Sequence, residues 1–316
     1  MCIRDRNRSI SIVRKLLKLN PNLNILICTT SPYVHYVLNE NIPIIRFPGI
    51  YEAHYIYKDA IIQKFIENIN PKLIVVDTFL FGINNELKNY FENINIKKIF
   101  IQRDLNLDIP DFYDHIICPY PLQENFSNNK KQIFVGFIVN RDKSEILPKE
   151  IALKYLRIKD TNKYTVAIIH NGNYSETTSL FNQILGICKY INLNLRLITL
   201  TPIYNPDFSE YLISYYPATE LFNAIDLIIS GGGYNIVAET EAFEMKALFY
   251  PFKRKVDNQF YRLKDKCCFN STTSPKDLVK IIKERIDQSP LKIISENYIG
   301  AQKTAQFIYN SLNNIS

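Results

Sequence analysis

A succession of short, unbroken apolar runs sets the strongest limit on what this chain can fold into. NILICTT near 24–30, PIIRF at 43–47, KLIVVD at 72–77, KKIFIQ at 97–102 and HIICPY at 115–120 occupy the first half. YTVAIIH, LRLITL, DLIIS and ALFYPF follow in the second half. None alternates apolar with polar residues. A strand that reads this way is covered on both faces, as in a parallel sheet with crossover helices. Helical stretches separate the runs. The first, near 7–19, places Ile10, Ile12, Val13, Leu16, Leu17 and Leu19 at helical spacing. Others are expected near 54–69, 84–93, 275–287 and 298–314. TELFNAI reads as a short helix, and VDNQFYRLKDK as a further one. QIFVGFIVNRDKSEILPKE, 132–150, reads as an extended link into a second unit.

The 316 residues suffice for two domains. Hydrophobic residues at 47% and charged residues at 22% allow a large core and argue against general disorder. No apolar run reaches the ~18–20 residues that span a bilayer, and no signal peptide is expected. The net charge of +7 suits contact with phosphates or an anionic membrane surface, and equally nothing specific. Lys and Arg form no dense block interleaved with aromatics, which disfavours nucleic acid as a partner. Cys2, Cys28, Cys118, Cys188, Cys267 and Cys268 include no C-x-x-C pair. The expectation is a reduced, cytoplasmic protein with no metal site.

The segment DLIISGGGYNIVAE, 226–239, carries the strongest local signal. A strand ends at Ser230, and Gly231, Gly232 and Gly233 let the backbone turn sharply and approach a ligand. A helix opens at Tyr234 and Asn235, with free N–H groups that favour phosphate. Glu239, about two turns in, has the chemistry to accept hydrogen bonds from vicinal ribose hydroxyls. The same segment equally makes a Gly-rich βα turn with a surface Glu. ALFYPFKRKVDNQ, 247–259, then sets Pro251, Phe252, Asp257, Asn258 and Gln259 beyond a strand's carboxyl end, where open α/β sheets bind ligands. N-capping by Asp257 or Asn258 is the plainer reading. In HNGNYSET, 170–177, Gly172 permits a turn while Asn173, Ser175 and Thr177 offer donors to a diphosphate; His170 supports the loop or simply ends the strand.

The order SGGGYNIVAE then YPFKRKVDNQ resembles the donor-sugar domain of family 28 (MurG-like) glycosyltransferases. The resemblance implies that Glu239 holds the nucleotide ribose and that Pro251, Phe252 and Gln259 contact the donor sugar. Ser230 and Gly233 keep the family's Ser-x-x-Gly turn. IVVDTFLFGINNEL at 74–87 and IQRDL at 101–105 are similar to predicted glycosyltransferases of this class. The family carries a Gly-rich, His-containing loop after its first strand, then often an Arg, which Arg8 matches. Here MCIRDR precedes the first helix directly, so the first strand and its loop are expected to have been lost.

On the acceptor side, Asp77 ends KLIVVD, where a carboxylate can deprotonate an acceptor hydroxyl or simply close a strand-end hydrogen bond. Arg103 and Asp104 sit on the same rim, and Glu52 and His54 follow the Pro48-Gly49 turn. The apolar Thr78–Phe81 stretch suits peripheral membrane contact with a lipid-linked acceptor, although helix packing explains it equally. The expected fold is therefore α/β, with two Rossmann-like domains facing a cleft (GT-B). Residues 1–138 form the acceptor domain, 139–298 the donor domain, and 299–316 a last helix packing back on the first. The expected activity is metal-independent, cofactor-free transfer of a sugar to a hydroxyl acceptor; the resemblance implies a UDP-sugar donor, N-acetylglucosamine as the sugar, and inversion. Hydrolysis of the sugar nucleotide, or binding without turnover, are the alternatives.

Overall fold

The computed structural model describes residues 3–31, 41–47, 58–82, 85, 87–103, 107–121, 131–254, 258–289 and 295–314. The chain divides into two compact units, Met1–Val139 with Ile294–Ser316, and Asn140–Ile293.

The first unit opens with helix α1 (Ile3–Leu19), followed by β1 (Ile27–Thr29), β2 (Ile44–Arg46), α2 (Lys58–Ile69), β3 (Leu73–Asp77), α3 (Lys88–Asn93), β4 (Lys97–Ile101), β5 (His115–Cys118) and β6 (Gln132–Phe134). Strands β1 and β2 form a parallel pair, and β3-β4-β5-β6 a parallel sheet in chain order. Strand β4 shows why its sequence lacks alternation. Ile99 and Ile101 pack with Ile12 and Leu16 of α1, whereas Phe100 points the other way, into a cluster with Tyr90, Phe91 and Tyr113. Both faces are covered, so both must be apolar.

The second unit runs α4 (Lys149–Tyr155), β7 (Tyr164–Ile169), α5 (Tyr174–Cys188), β8 (Leu193–Ile198), β9 (Leu212–Ile213), β10 (Leu227–Gly231), α6 (Tyr234–Ala242), β11 (Ala247–Tyr250), α7 (Gln259–Arg262) and α8 (Pro275–Asp287). Its parallel sheet has the order β11-β10-β7-β8-β9. Val166, Ile168, Leu227, Ile229 and Leu248 face the layer of α5 and α8. Ala167, Ile169, Ile228, Ala247 and Phe249 face α4 and α6. The last helix, α9 (Gly300–Asn313), lies in the first unit, where Ala301, Ala305 and Ile308 pack with α1.

Four segments differ from the sequence expectation. The 132–150 stretch is not a plain link: Gln132–Phe134 is a strand paired with β5, and α4 begins at Lys149. Three residues are too few for a periodic signal, so only pairing with β5 reveals β6. The Pro/Asn-rich segment after β8 contains the edge strand β9. TELFNAI lies in a 3₁₀ helix, Ala218–Ala224, and α7 is a single turn.

Two glycines mark opposite packing limits. A Cβ on Gly300 would lie 2.4 Å from the Gly136 carbonyl oxygen and 2.7 Å from that of Phe137, so α9 starts in direct contact with backbone. Gly186, inside α5, has nothing within 4 Å of the equivalent position. Gly300→Ala is expected to lower stability by about 1–3 kcal/mol through overpacking. Gly186→Ala is expected to raise it by about 0.5–1 kcal/mol, as a helical glycine replaced without a clash. Urea unfolding of each variant checks both signs.

Candidate functional site

The strand order of the second unit points to one place. From β7 the chain moves to β8 and β9 on one side, then returns to β10 and β11 on the other. The loops after β7 and β10 therefore leave in opposite directions. Open α/β sheets bind ligands at such a reversal, beyond the carboxyl ends of the two strands. The register aligns Ile168 with Ile229 and Gly231 with Tyr250, which brings His170, Gly231 and Pro251 into neighbouring positions.

His170 is the hub. Only 2% of it is exposed, and its ring fills space that two glycines leave open. A Cβ on Gly172 would lie 2.2 Å from its Nε2, and one on Gly231 would lie 2.9 Å from its Cε1. The Phe252 ring, from the segment after β11, sits 4.9 Å from the imidazole. The three loops thus meet around one side chain.

Gln259 ties two of these loops together. It is fully buried, and its Oε1 accepts from the backbone N–H of Gly232 at 3.1 Å and of Phe252 at 2.9 Å. Only an amide oxygen can accept both bonds, which fixes the orientation of the amide. Its Nε2 has no hydrogen-bond partner among the described residues. The glycine corner is therefore less open than its sequence suggests. The Gly232 N–H is spent on Gln259, the Gly232 carbonyl accepts from Arg262, and Leu263 packs against this glycine. The Ser230 hydroxyl donates to the Ile169 carbonyl across β10 and β7. Tyr234 and Asn235, at the start of α6, are buried, and Gly233 is the N-cap residue.

The loop after β7 is also heavily bonded. Asn173 caps α5, accepting from the Glu176 N–H at 2.8 Å and from the Ser175 hydroxyl at 2.9 Å. The Thr177 hydroxyl donates to the Asn173 carbonyl. These side chains, expected from sequence to face a diphosphate, serve the helix start. Asn258 caps α7 in the same way, accepting from the Tyr261 N–H. Sequence reasoning did not single out Glu176 or Arg254. Arg254 grips Glu176 through two parallel bonds, one of 2.6 Å from Nη2 to Oε2, and lies 5.6 Å over the Phe252 ring. The N-x-x-E spacing of a helix start marks Glu176 in the sequence, but nothing local pairs it with a residue 78 positions away. Burial raises the Glu176 pKa, but the neighbouring His170, 3.6 Å away, and the hydrogen bonds and charge of Arg254 outweigh it, leaving about 2.

Glu239 does not present a bare carboxylate. It is 8% exposed and hydrogen-bonded to Thr219 and to the backbone of Asn140, with Arg141 nearby. Burial dominates and lifts its pKa to about 7. A ribose hydroxyl reaching this group meets a carboxylate already held by Thr219 and Asn140. Those partners lie far from Glu239 in sequence, so no local pattern announced them.

In the first unit, Arg8 and Asp77 are a buried pair. Arg8 Nη2 lies 2.6 Å from Asp77 Oδ1 and donates to the Thr78 hydroxyl at 2.6 Å. Thr78 has φ +72°, a costly conformation for a β-branched residue. Arg103 is half-buried, and its carbonyl accepts from the Tyr120 hydroxyl. Glu52, His54, Asp104 and Asp257 lie outside the described residues. Among the described residues no group of three or more His, Cys, Asp or Glu is placed to hold a metal ion, and no helix is long and apolar enough to cross a membrane.

No protein-family model matches the chain, and no curated protein matches it. Solved structures do. MurG of Acinetobacter baumannii aligns at 12% identity and TM-score 0.58, covering 97% of this chain and 95% of that one. The spinosyn rhamnosyltransferase SpnG complexed with thymidine diphosphate aligns at 10% identity and TM-score 0.59, covering 98% and 94%. A putative UDP-N-acetylglucosamine 2-epimerase from Listeria monocytogenes aligns at 12% identity and TM-score 0.60, covering 99% and 95%. At these identities the likeness shows the fold: α/β, with two Rossmann-like domains of the GT-B class.

Two substitutions test this geometry. Gln259→Leu strands two buried N–H groups and should cost about 2–4 kcal/mol, read by urea unfolding. Because the folded pKa of Glu239 lies above its unfolded value, the stability it contributes is complete below about pH 4.5 and disappears as pH rises through 7. Glu239→Gln should remove that slope and gain on the order of 2–3 kcal/mol relative to the parent at pH 8, seen by unfolding at pH 5 and pH 8.

Proposed function

We propose that this protein is a glycosyltransferase that takes the sugar of a nucleoside-diphosphate donor, a UDP-sugar, and passes it to a hydroxyl acceptor. The observation that carries this reading is the strand reversal between β7 and β10, with three loops gathered at its carboxyl end around His170. The starts of α5 and α6 both follow these loops and present helix N-termini to a diphosphate. As the bond to the sugar breaks, negative charge grows on the diphosphate, and fixed backbone donors stabilise it without reorganising. In this reading Glu239 accepts from the ribose, whose hydroxyl takes the place of the Thr219 hydroxyl. Gln259 and Phe252 face the sugar, the Gln259 Nε2 supplying a donor.

The resemblance to family 28, together with the MurG and thymidine-diphosphate-bound SpnG neighbours, supports a nucleotide-sugar donor and suggests N-acetylglucosamine with inversion. The first unit is assigned the acceptor. A base role for Asp77 requires its carboxylate to release Arg8, so the pair has to rearrange when acceptor binds. Hydroxyls on a lipid-linked or cell-envelope glycan suit this role, with the protein at the inner face of a membrane.

Titration calorimetry with UDP tests the donor site. Binding is expected, and Glu239→Ala should weaken it by about 1–3 kcal/mol with the fold intact. Failure of UDP to bind, or unchanged affinity in the variant, overturns the donor assignment. Release of free sugar from UDP-N-acetylglucosamine in water alone would move the activity from transfer to hydrolysis.

A further inference from the structure

A ligand phosphate arriving beside the α5 N-terminus would find an anion already there. Glu176 occupies the first turn of α5, where the unpaired N–H groups and the helix dipole favour negative charge. Its carboxylate closes over the Gly172 loop so tightly that a Cβ on Gly172 would lie 2.5 Å from Oε2. His170 Nε2 lies 3.6 Å from the same oxygen. Arg254, reaching across from the segment after β11, holds the carboxylate with both Nη groups, the geometry a guanidinium uses equally for phosphate. The pair is only partly buried, with side-chain exposures of 25% and 16%, so it is open to exchange.

A second, separate observation points to a ligand at the same junction. The buried Gln259 amide is held by the Gly232 and Phe252 N–H groups, and its Nε2 has no partner among the described residues. The same Phe252 lies 5.6 Å under the Arg254 guanidinium, and a buried donor of this kind awaits an acceptor that the described residues do not supply.

From this geometry we infer that Glu176 is a specificity-determining residue, a resident carboxylate that holds Arg254 until a phosphate chain displaces it. The inference rests on the donor-site reading above. On binding, Arg254 passes from carboxylate to phosphate with no change in covalent bonding. Glu176 then faces the incoming charge across a short gap and opposes each added phosphate charge. A diphosphate, which brings more charge beside Glu176, is held back more strongly than a nucleoside monophosphate. In the resting pair the carboxylate is ionised, its pKa of about 2 set against burial by Arg254 and His170.

The test is titration calorimetry of the full chain with UDP and UMP at fixed low salt. Glu176→Gln keeps the size and the amide-compatible helix start while removing the competing charge. It should bind UDP about tenfold more tightly than the parent and UMP more tightly by a smaller factor, widening the UDP/UMP ratio. Arg254→Gln should weaken UDP, and adding Glu176→Gln to it should restore little, because the exchange has lost its cation. Equal or weaker UDP binding by Glu176→Gln, with a melting temperature like the parent's, overturns the exchange while leaving the donor site standing. If neither the parent nor any variant binds UDP, the donor-site reading falls and the exchange falls with it.

Discussion

Much of the second unit is organised by one imidazole wedged between two glycines. His170 cannot occupy its place unless Gly172 and Gly231 both lack side chains, and Phe252 then completes the enclosure. That packing fixes how closely the loops after β7, β10 and β11 approach each other. Gln259 adds a polar strap over the same junction, satisfying two backbone donors that the tight corner would otherwise bury unpaired. Glycine here permits a protein side chain to come close, in addition to any approach by a ligand.

This arrangement explains what the sequence could and could not reveal. The parallel, doubly covered sheets were legible because β4, β7 and β10 are apolar at consecutive positions, and burial on both faces leaves no other economical pattern. The glycine corner and the helix beyond it were legible for the same local reason. The pairings that give the candidate residues of each unit their character were hidden. Arg254 with Glu176, Glu239 with Thr219 and Asn140, and Arg8 with Asp77 each join residues tens of positions apart. A motif records which side chains are present in a loop, whereas their partners are chosen by the fold. Asn173 and Asn258 illustrate the point from the other side. Both looked like ligand groups and both close the first turn of a helix.

The two buried carboxylates sit in opposite environments. Asp77 meets a guanidinium directly, with Thr78 bonded to the same cation. Glu239 has neutral hydrogen-bond donors, and its burial is only partly offset by Arg141. One group is therefore an anchor between α1 and the end of β3, and the other is poised near neutrality inside α6. Charge compensation, more than depth, separates their roles.

The helix α9 has a consequence for how the chain is made. It completes the apolar layer of a unit whose strands all precede Val139, with a whole second unit encoded between them. During synthesis the Asn140–Ile293 unit leaves the ribosome with all of its strands and can collapse at once. The earlier-made portion has to wait with Ile12, Leu16, Val135 and Ile138 incompletely covered until Ala301, Ala305 and Ile308 emerge. The amino-terminal half is thus the first to be translated and the last to be finished. For that interval its exposed face is a natural target for chaperone binding.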